Sequence, residues 1–483
     1  MTGLLKSLTV RNWLTFVTSV LECLCFAGAV FGWASLAFVL KTEGYFSSLC
    51  VNTTGVNETQ VLDCSVQDEQ FSLVFTIASF SFSFLTLPNG FLFDRFGTTV
   101  PRLLGICLFT TGTLMFAFST AAWSNLLFPA LSLVALGGNL LLMTDIQVGN
   151  LFGQRRSTII NLHVGAIGSS SALFLVIKLL HEAGISLLAS FLFLSTCSVF
   201  HLLRTFFLLP RDHIPYPLPD DYTYGTTCCK AKTLSLENLT ANGNAQMTTE
   251  EVEVVPVKQE KSFRECLKSR LFWLHLLWLS VMQLRQYHFI GTLNPMLQRL
   301  TAGELSLVSQ YINAFSIMQV FGVVCAPLNG LIMDRHKGKP RAAGESEQEA
   351  DLRASVLSLL LTALLGVSFS ACATISNLPL QYFTFVLQMF NRSFLFGANA
   401  AFISLAFPSC HFGKLFGLVL ALAAVFSLLQ YACFALVNEP LNVDPLYVNI
   451  GLTLLTLFAF IHPLSVFLHC RSLASKRAIK ASS

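Results

Sequence analysis

The sequence predicts an all-α polytopic membrane protein with twelve transmembrane helices, arranged as two six-helix halves. Three observations lead to this fold class: the composition, the length of the apolar runs and the distribution of positive charge. Of the 483 residues, 54% are hydrophobic and only 12% are charged, whereas soluble domains carry about 25% charged residues. A water-soluble protein of this size would lack polar surface.

The apolar residues fall in runs of about 20 residues or more, long enough to cross a bilayer core of about 30 Å. The first run lacks a convincing signal-peptide cleavage site, so we interpret it as a retained helix. The predicted spans are 13–40, 70–92, 101–120, 124–146, 157–180, 185–209, 271–296, 307–332, 354–376, 380–407, 413–437 and 446–469.

The positive charges test this count. With the N-terminus in the cytoplasm, alternation of the spans places 25 of the 30 Lys and Arg residues on the cytoplasmic side. Lys41, Lys178 and Arg299 then lie on the outer side, and only Arg285 and Arg392 lie inside spans. This asymmetry follows the positive-inside rule. The net charge of +4 therefore reflects topology and indicates no nucleic-acid partner.

The spans and loops divide the chain into four regions. Residues 210–270 are rich in Pro, Thr, Glu and Lys, which is typical of a polar linker. We therefore predict an N-terminal half over 1–209, a cytoplasmic linker over 210–270, a C-terminal half over 271–470 and a cytoplasmic tail over 471–483. Both termini are expected in the cytoplasm.

The first outer loop carries two N-glycosylation sequons, which begin at Asn52 and Asn57. Cys50 and Cys64 flank them and are candidates for a disulfide in an oxidising compartment, with two free thiols as the alternative. No Cys or His has the spacing of a zinc site, so we predict no metal and no cofactor.

A short motif, G-x-x-x-D-R, occurs once after the second span and once after the eighth. Its two copies are Gly90, Asp94 and Arg95, and Gly330, Asp334 and Arg335. Both lie at the equivalent cytoplasmic turn of a half, and such repeats relate the halves of many transporters. A carboxylate there can accept from the free N–H groups that begin a neighbouring helix. We expect this motif to serve the conformational change.

The doubled motif resembles the loop signature of the major facilitator superfamily. The stretches DEQFSLVFTIASF (68–80), QVGNLFGQRRSTII (147–160) and FPSCHFGKLFGL (407–418) resemble solute carrier family 43 of that superfamily, and most closely its nucleobase-transporting branch. The resemblance implies a major facilitator fold. It also implies sodium-independent, equilibrative transport of purine nucleobases such as adenine, guanine and hypoxanthine across the plasma membrane, by alternating access and as a monomer. Uniport of large neutral amino acids is the alternative.

Substrates of such transporters bind near the midplane between the halves, where polar side chains are costly and point to function. At about 100° per residue, polar residues share one face of the seventh span and one face of the tenth. On the first span, Glu22 and Phe26 also share one face. The candidate substrate-binding residues are Gln283, Gln286, Tyr287, Asn294, Gln388, Arg392, Asn399, Glu22 and Phe26, and Gln381 shares the polar face of the tenth span.

These residue types suit a purine because Gln and Asn each offer a donor and an acceptor, while aromatic rings stack on bases. Glu22 and Arg392 could instead hold the ammonium and carboxylate of an amino acid, or form a structural ion pair. Polar side chains also join transmembrane helices without touching substrate. Asp145 and Gln147 are candidates for a cytoplasmic gate. The ten His residues are scattered, which disfavours an enzyme.

Overall fold

Helices form at all twelve predicted spans, so the all-α class is confirmed. The computed structural model describes residues 2–54, 60–215, 218–219, 222, 224, 262–336, 345–408, 411–438 and 445–482. Within these ranges one short hairpin supplies the only strands.

The helices that precede the linker form what we call the N-terminal set. They are α1 (Thr2–Glu22), α2 (Trp33–Thr42), α3 (Ser65–Phe84), α4 (Thr86–Phe96), α5 (Thr99–Phe118), α6 (Leu127–Ile146), α7 (Arg156–Ser169), α8 (Ala172–Glu182), α9 (Leu187–Thr196) and α10 (Ser198–Phe207). A π-helical turn, Cys23–Ala27, and a 3-10 turn, Ala29–Gly32, join α1 to α2 within the first span.

The helices that follow the linker form the C-terminal set. They are α11 (Phe263–Lys268), α12 (Arg270–Leu300), α13 (Leu305–Val320), α14 (Gly322–Asp334), α15 (Glu347–Thr374), α16 (Leu380–Ala406), α17 (Phe412–Ser427), α18 (Leu429–Asn438), α19 (Leu446–Thr456) and α20 (Ile461–Ser482). The last helix therefore continues through the stretch that the sequence predicts as a tail.

Apolarity separates two of the twelve spans from the others. Nine helical segments of the described chain are long and apolar enough to cross a bilayer, and α13 with α14, bent by 41°, adds a tenth. The remaining two spans, α12 and α16, have 31 and 27 residues and carry the polar stripes predicted from the sequence. Because of these polar residues, α12 and α16 are less apolar than the other ten spans.

Glycine is required where the first span crosses the fifth. The backbone N–H of Gly28 donates to Ser170 Oγ at 2.7 Å. A Cβ on Gly28 would lie 2.3 Å from the backbone oxygen of Ile167, so any side chain would push the two helices apart. The close approach occurs at the break between α1 and α2, which sets Phe31 on the 3-10 turn.

The predicted outer loop forms a hairpin. Strands β1 (Val51–Thr54) and β2 (Gln60–Asp63) pair antiparallel, and a disulfide joins Cys50 to Cys64 at its base. Asn57 and the side chain of Asn52 lie outside the described residues, so glycosylation stays a prediction. We call this end of the bundle the hairpin side and the opposite end, which carries residues 209–215 and α11, the linker side.

The two ends of the linker are held by different sets of helices. After α10 the chain turns back beneath the N-terminal set, where Thr98 N donates to Arg211 O at 3.0 Å and Ile214 N donates to Gln147 Oε1 at 2.9 Å. At the other end, Cys266 of α11 is buried in the apolar core of the C-terminal set. Each end is thus anchored independently.

Candidate functional site

The two sets of helices contact each other on both sides of the bundle. On the hairpin side, Lys178 Nζ donates to Ser309 Oγ and Asn313 Oδ1, both at 2.6 Å. On the linker side, Gly165 packs directly on Ala326, because a Cβ on Gly165 would lie 2.2 Å from that of Ala326. Side chains between these two contacts are therefore enclosed by both sets.

Arg392 lies between these contacts, in the middle of α16, and is 4% exposed. Its guanidinium carbon sits 3.8 Å from the ring centre of Phe31, which belongs to the N-terminal set. The Nε and Nη2 groups of Arg392 are buried without a hydrogen-bond partner, and no carboxylate of the described residues pairs with them. A cation–π contact offsets only part of the cost of burying a guanidinium in a membrane. These free donors are available to a ligand.

Tyr287 completes the arrangement around Arg392. Its hydroxyl lies 2.9 Å from Ser83 Oγ on α3, and its ring lies 5.6 Å from Phe31 and 6.3 Å from Phe75. Phe31, Tyr287 and Arg392 together form what we call the central site. It combines two aromatic rings with one cation at the contact between the sets.

The predicted glutamines of α12 and α16 bind each other. Gln388 Nε2 donates to Gln286 Oε1 at 2.7 Å. Gln388 also accepts from Gln319, and Gln286 donates to Asn391. Asn391 Nδ2 in turn donates to Thr362 O on α15 at 2.9 Å. This chain of amides joins α12, α13, α15 and α16, so both glutamines are engaged with other side chains.

Among the described residues, four amides keep a buried side-chain oxygen without a partner: Gln283, Asn294, Gln381 and Gln430. Two of them bridge the sets, since Asn294 Nδ2 donates to Ala34 O at 2.8 Å and Gln430 Nε2 donates to Ser79 Oγ at 3.2 Å. Their free oxygens can accept from a donor-bearing ligand.

Asn399 does not join the central site. Its Oδ1 lies 2.9 Å from His275 Nε2, within the C-terminal set, and His275 in turn contacts His462. The angular count aligns Asn399 with Arg392, but seven residues of α-helix also separate them by about 10 Å along the axis. Asn399 and Arg392 therefore lie on the same face of α16 but belong to different sites.

Glu22 and Phe26 also lie away from the central site. Arg102 Nη2 donates to both carboxylate oxygens of Glu22, at 2.6 and 2.8 Å, and His201 Nδ1 lies 2.6 Å from Glu22 Oε1. Phe26 packs edge-on against Phe109 and His201. The carboxylate of Glu22 is therefore occupied inside the N-terminal set, and it does not pair with Arg392.

These contacts belong to a larger ion cluster of Glu22, Arg102, Asp145, Arg204 and His201. Asp145 Oδ1 accepts from Arg102 at 3.0 Å and from Arg204 at 2.6 Å, and Arg204 also contacts Glu22. All five side chains are at most 1% exposed. The prediction that only two arginines lie inside spans was wrong, because Arg102 and Arg204 are buried in α5 and α10. Asp145 is an internal partner of these cations.

The two G-x-x-x-D-R turns lie on the linker side. Asp94 Oδ2 comes within 3.8 Å of the position of a Cβ on Gly413, in the first turn of α17. Arg335 Nη1 donates to Ile332 O and Ala354 O, at 2.7 and 3.1 Å. The first copy thus sets its carboxylate beside the start of a helix from the other set, and its role in the conformational change stays a prediction.

Known proteins share this architecture. Residues 14–344 match the sequence profile of the Major Facilitator Superfamily. The chain belongs to this superfamily. It is therefore a multi-pass membrane transport protein of the major facilitator fold. A bacterial homologue of the human lysosomal transporter Spinster, solved in an inward-facing and unoccupied conformation, shares that fold. Its TM-score is 0.55, with 12% identity and coverage of 96% of this chain and 98% of the other.

Closer relatives confirm the resemblance to solute carrier family 43 within the superfamily. The equilibrative nucleobase transporter 1 of Bos taurus is 50% identical over 479 residues, which cover 96% of this chain and 98% of the relative. The large neutral amino acids transporter small subunit 3 of Homo sapiens is 32% identical over 522 residues, with coverage of 95% and 93%.

Sequence reasoning missed three components of this superfamily member's interior. Phe31 is one of 44 Phe residues and had no signal of its own. Ser83 reads as one of many small polar residues in spans. The ion cluster could have been predicted, because two acidic residues and two arginines lie inside four spans of the N-terminal set. Their charges cancel, which is what pairing inside a membrane requires.

Proposed function

We propose that this protein is a facilitative transporter of purine nucleobases, which works by alternating access at the plasma membrane without sodium. The observation that carries the proposal is the central site, where buried, unpaired N–H groups of Arg392 lie against the ring of Phe31, which also contacts Tyr287, at the contact of the two sets. A purine offers ring nitrogens or a carbonyl to these donors and a flat face to Phe31 or Tyr287. The 50% identity to a protein named as an equilibrative nucleobase transporter supports this substrate class.

The alternative substrate, a large neutral amino acid, needs a partner for its ammonium. The sequence offered Glu22 for that role, but both its oxygens bind Arg102. The described residues place the rings of Phe31 and Phe396 against Arg392 and pair no carboxylate with it. This chemistry favours a neutral heteroaromatic substrate over a zwitterion.

Uptake of radiolabelled adenine and radiolabelled leucine, in cells expressing the protein, tests the proposal directly. We expect saturable adenine uptake that persists when choline replaces sodium, and that speeds up when the cells are preloaded with unlabelled adenine. Leucine should neither enter faster than in control cells nor compete with adenine. Saturable leucine uptake without adenine uptake would assign the protein to the amino-acid class.

Arg392→Gln tests the site. With uptake normalised to protein at the surface, we expect adenine transport to fall about tenfold or more. One charge-assisted hydrogen bond contributes about 1.5–3 kcal/mol, and a tenfold change corresponds to about 1.4 kcal/mol. Asn399→Ala on the same helix is the matched comparison, because Asn399 binds His275 and should leave the apparent affinity intact. Unchanged normalised uptake in Arg392→Gln would place the site elsewhere.

A further inference from the structure

A polar cavity lies within the C-terminal set, and its lining does not include Phe31, Tyr287 or Arg392. Its volume is about 260 Å³, and its lining residues come from α12, α15, α16, α18, α19 and the turns beside them. The lining includes Arg285, His288 and Arg299, and the described lining contains no Asp or Glu. The N-terminal set contributes no lining residue, so this cavity is distinct from the site proposed for substrate.

Arg285 is the most deeply buried charge of this cavity, at 2% exposure. It donates to Ser370 Oγ at 2.8 Å, to Asn449 Oδ1 at 3.1 Å and to Ser370 O at 3.4 Å. All of these acceptors are neutral. The hydrogen bonds satisfy the donors but leave a full positive charge without a counter-charge among the described residues.

Two further polar atoms of the cavity lining are buried without a partner. They are Nδ1 of His288, one helical turn from Arg285, and Oε1 of Gln381 on α16. His288 can carry a proton on Nδ1 and donate it into the cavity. The oxygen of Gln381 can accept from a water molecule that accompanies an ion.

An isolated cation in a membrane interior is costly unless a negative group neutralises it. We propose that this cavity binds a small anion, either an inorganic ion such as chloride or the carboxylate of a small organic acid. Arg285 supplies the charge, and His288 supplies a second donor. The volume leaves room for the anion and several water molecules.

Thermal unfolding of the purified full-length protein in detergent tests this proposal, with Tm measured against concentration of sodium chloride or sodium acetate. Ionic strength is held constant with sodium methanesulfonate, which is neither a halide nor a carboxylate. We expect a saturable rise in Tm with a definite midpoint for at least one of the two anions. The relative midpoints of chloride and acetate distinguish an inorganic ion from a carboxylate. Arg285→Gln should raise the midpoint at least tenfold, and Arg285→Lys should preserve more of the response.

Arg392→Gln is the matched control. Like Arg285, Arg392 is buried and pairs with no carboxylate of the described residues, but it does not line this cavity. The midpoint of this variant should equal that of the unmodified protein. If Arg285→Gln fails to fold, His288→Ala replaces it and should raise the midpoint several-fold. A Tm that rises linearly with salt, or equally in Arg285→Gln, overturns the proposal.

Two acids next to the cavity in sequence, Glu439 and Asp444, lie outside the described residues. If they neutralised Arg285, the unmodified protein would show no saturable response, and the Glu439→Gln, Asp444→Asn double variant would gain one. That result would also overturn the proposal. None of these outcomes depends on which substrate is transported, so the test stands apart from the proposed nucleobase transport.

Discussion

Replacing Glu22 by glutamine removes one negative charge from the buried ion cluster while it preserves the shape of the side chain. The cluster contains two carboxylates, Glu22 and Asp145, and two guanidinium groups, Arg102 and Arg204. With His201 neutral these charges balance. Glu22→Gln therefore leaves a net charge of one in a region that is at most 1% exposed.

The magnitude follows from this imbalance. Removing one partner of a buried ion pair costs about 3–5 kcal/mol, because the remaining charge loses its compensation. A double variant, Glu22→Gln with Arg204→Gln, restores neutrality. It should therefore be less destabilised than the sum of the two single variants, by about 1–3 kcal/mol of coupling, as residues of one network usually show.

The assay combines surface abundance, Tm in detergent and adenine uptake normalised to surface protein. We expect Glu22→Gln to lower Tm and surface abundance, while the molecules that reach the surface keep the apparent affinity for adenine. The double variant should recover part of the lost Tm. A Glu22→Gln protein with unchanged Tm and a weakened affinity would refute the reasoning and return Glu22 to the substrate site.

Three more predictions concern the Lys178 contact on the hairpin side, the outer loop and the G-x-x-x-D-R motif. Lys178→Met removes charge-assisted bonds to the C-terminal set on the hairpin side. A cysteine placed at position 316 should then react about tenfold faster with a thiol reagent added outside the cell. Equal rates would mean that Lys178 does not hold the two sets together on this side. A glycosidase-sensitive mass shift should vanish in the Asn52→Gln, Asn57→Gln double variant, and its persistence would mean another acceptor. Asp94→Ala should lower the maximal adenine rate at normal surface abundance without altering the adenine-to-guanine preference, and an altered preference would contradict a purely conformational role.

The sequence was sufficient for the fold because a membrane imposes a simple length rule on apolar runs. All twelve spans became helices, and the break in the first span was the main local feature that periodicity could not foresee. That break depends on Gly28 meeting the backbone of Ile167, which is a contact between residues far apart in the chain.

The candidate site was recovered only in part. Tyr287 and Arg392 were selected from helical faces, and both contact Phe31 of the N-terminal set; their role in substrate binding stays a prediction. The angular position of a residue on one helix does not tell which side chain of a neighbouring helix pairs with it. Glu22 was therefore assigned to the same site as Arg392, whereas in the structure Glu22 pairs with Arg102. Pairing between helices is set by their depth and packing, which a single sequence does not encode locally.

The separate anchoring of the two linker ends has a consequence for how the chain tolerates change. Ile214 is fixed beneath one set and Cys266 is buried in the other. Between them the chain could reach more than about 150 Å if fully extended, at about 3.3 Å per residue, far more than a rigid connection between neighbouring helices would need. Because each end is held by its own set, insertions, deletions or even a cut between residues 224 and 262 should leave both attachments in place.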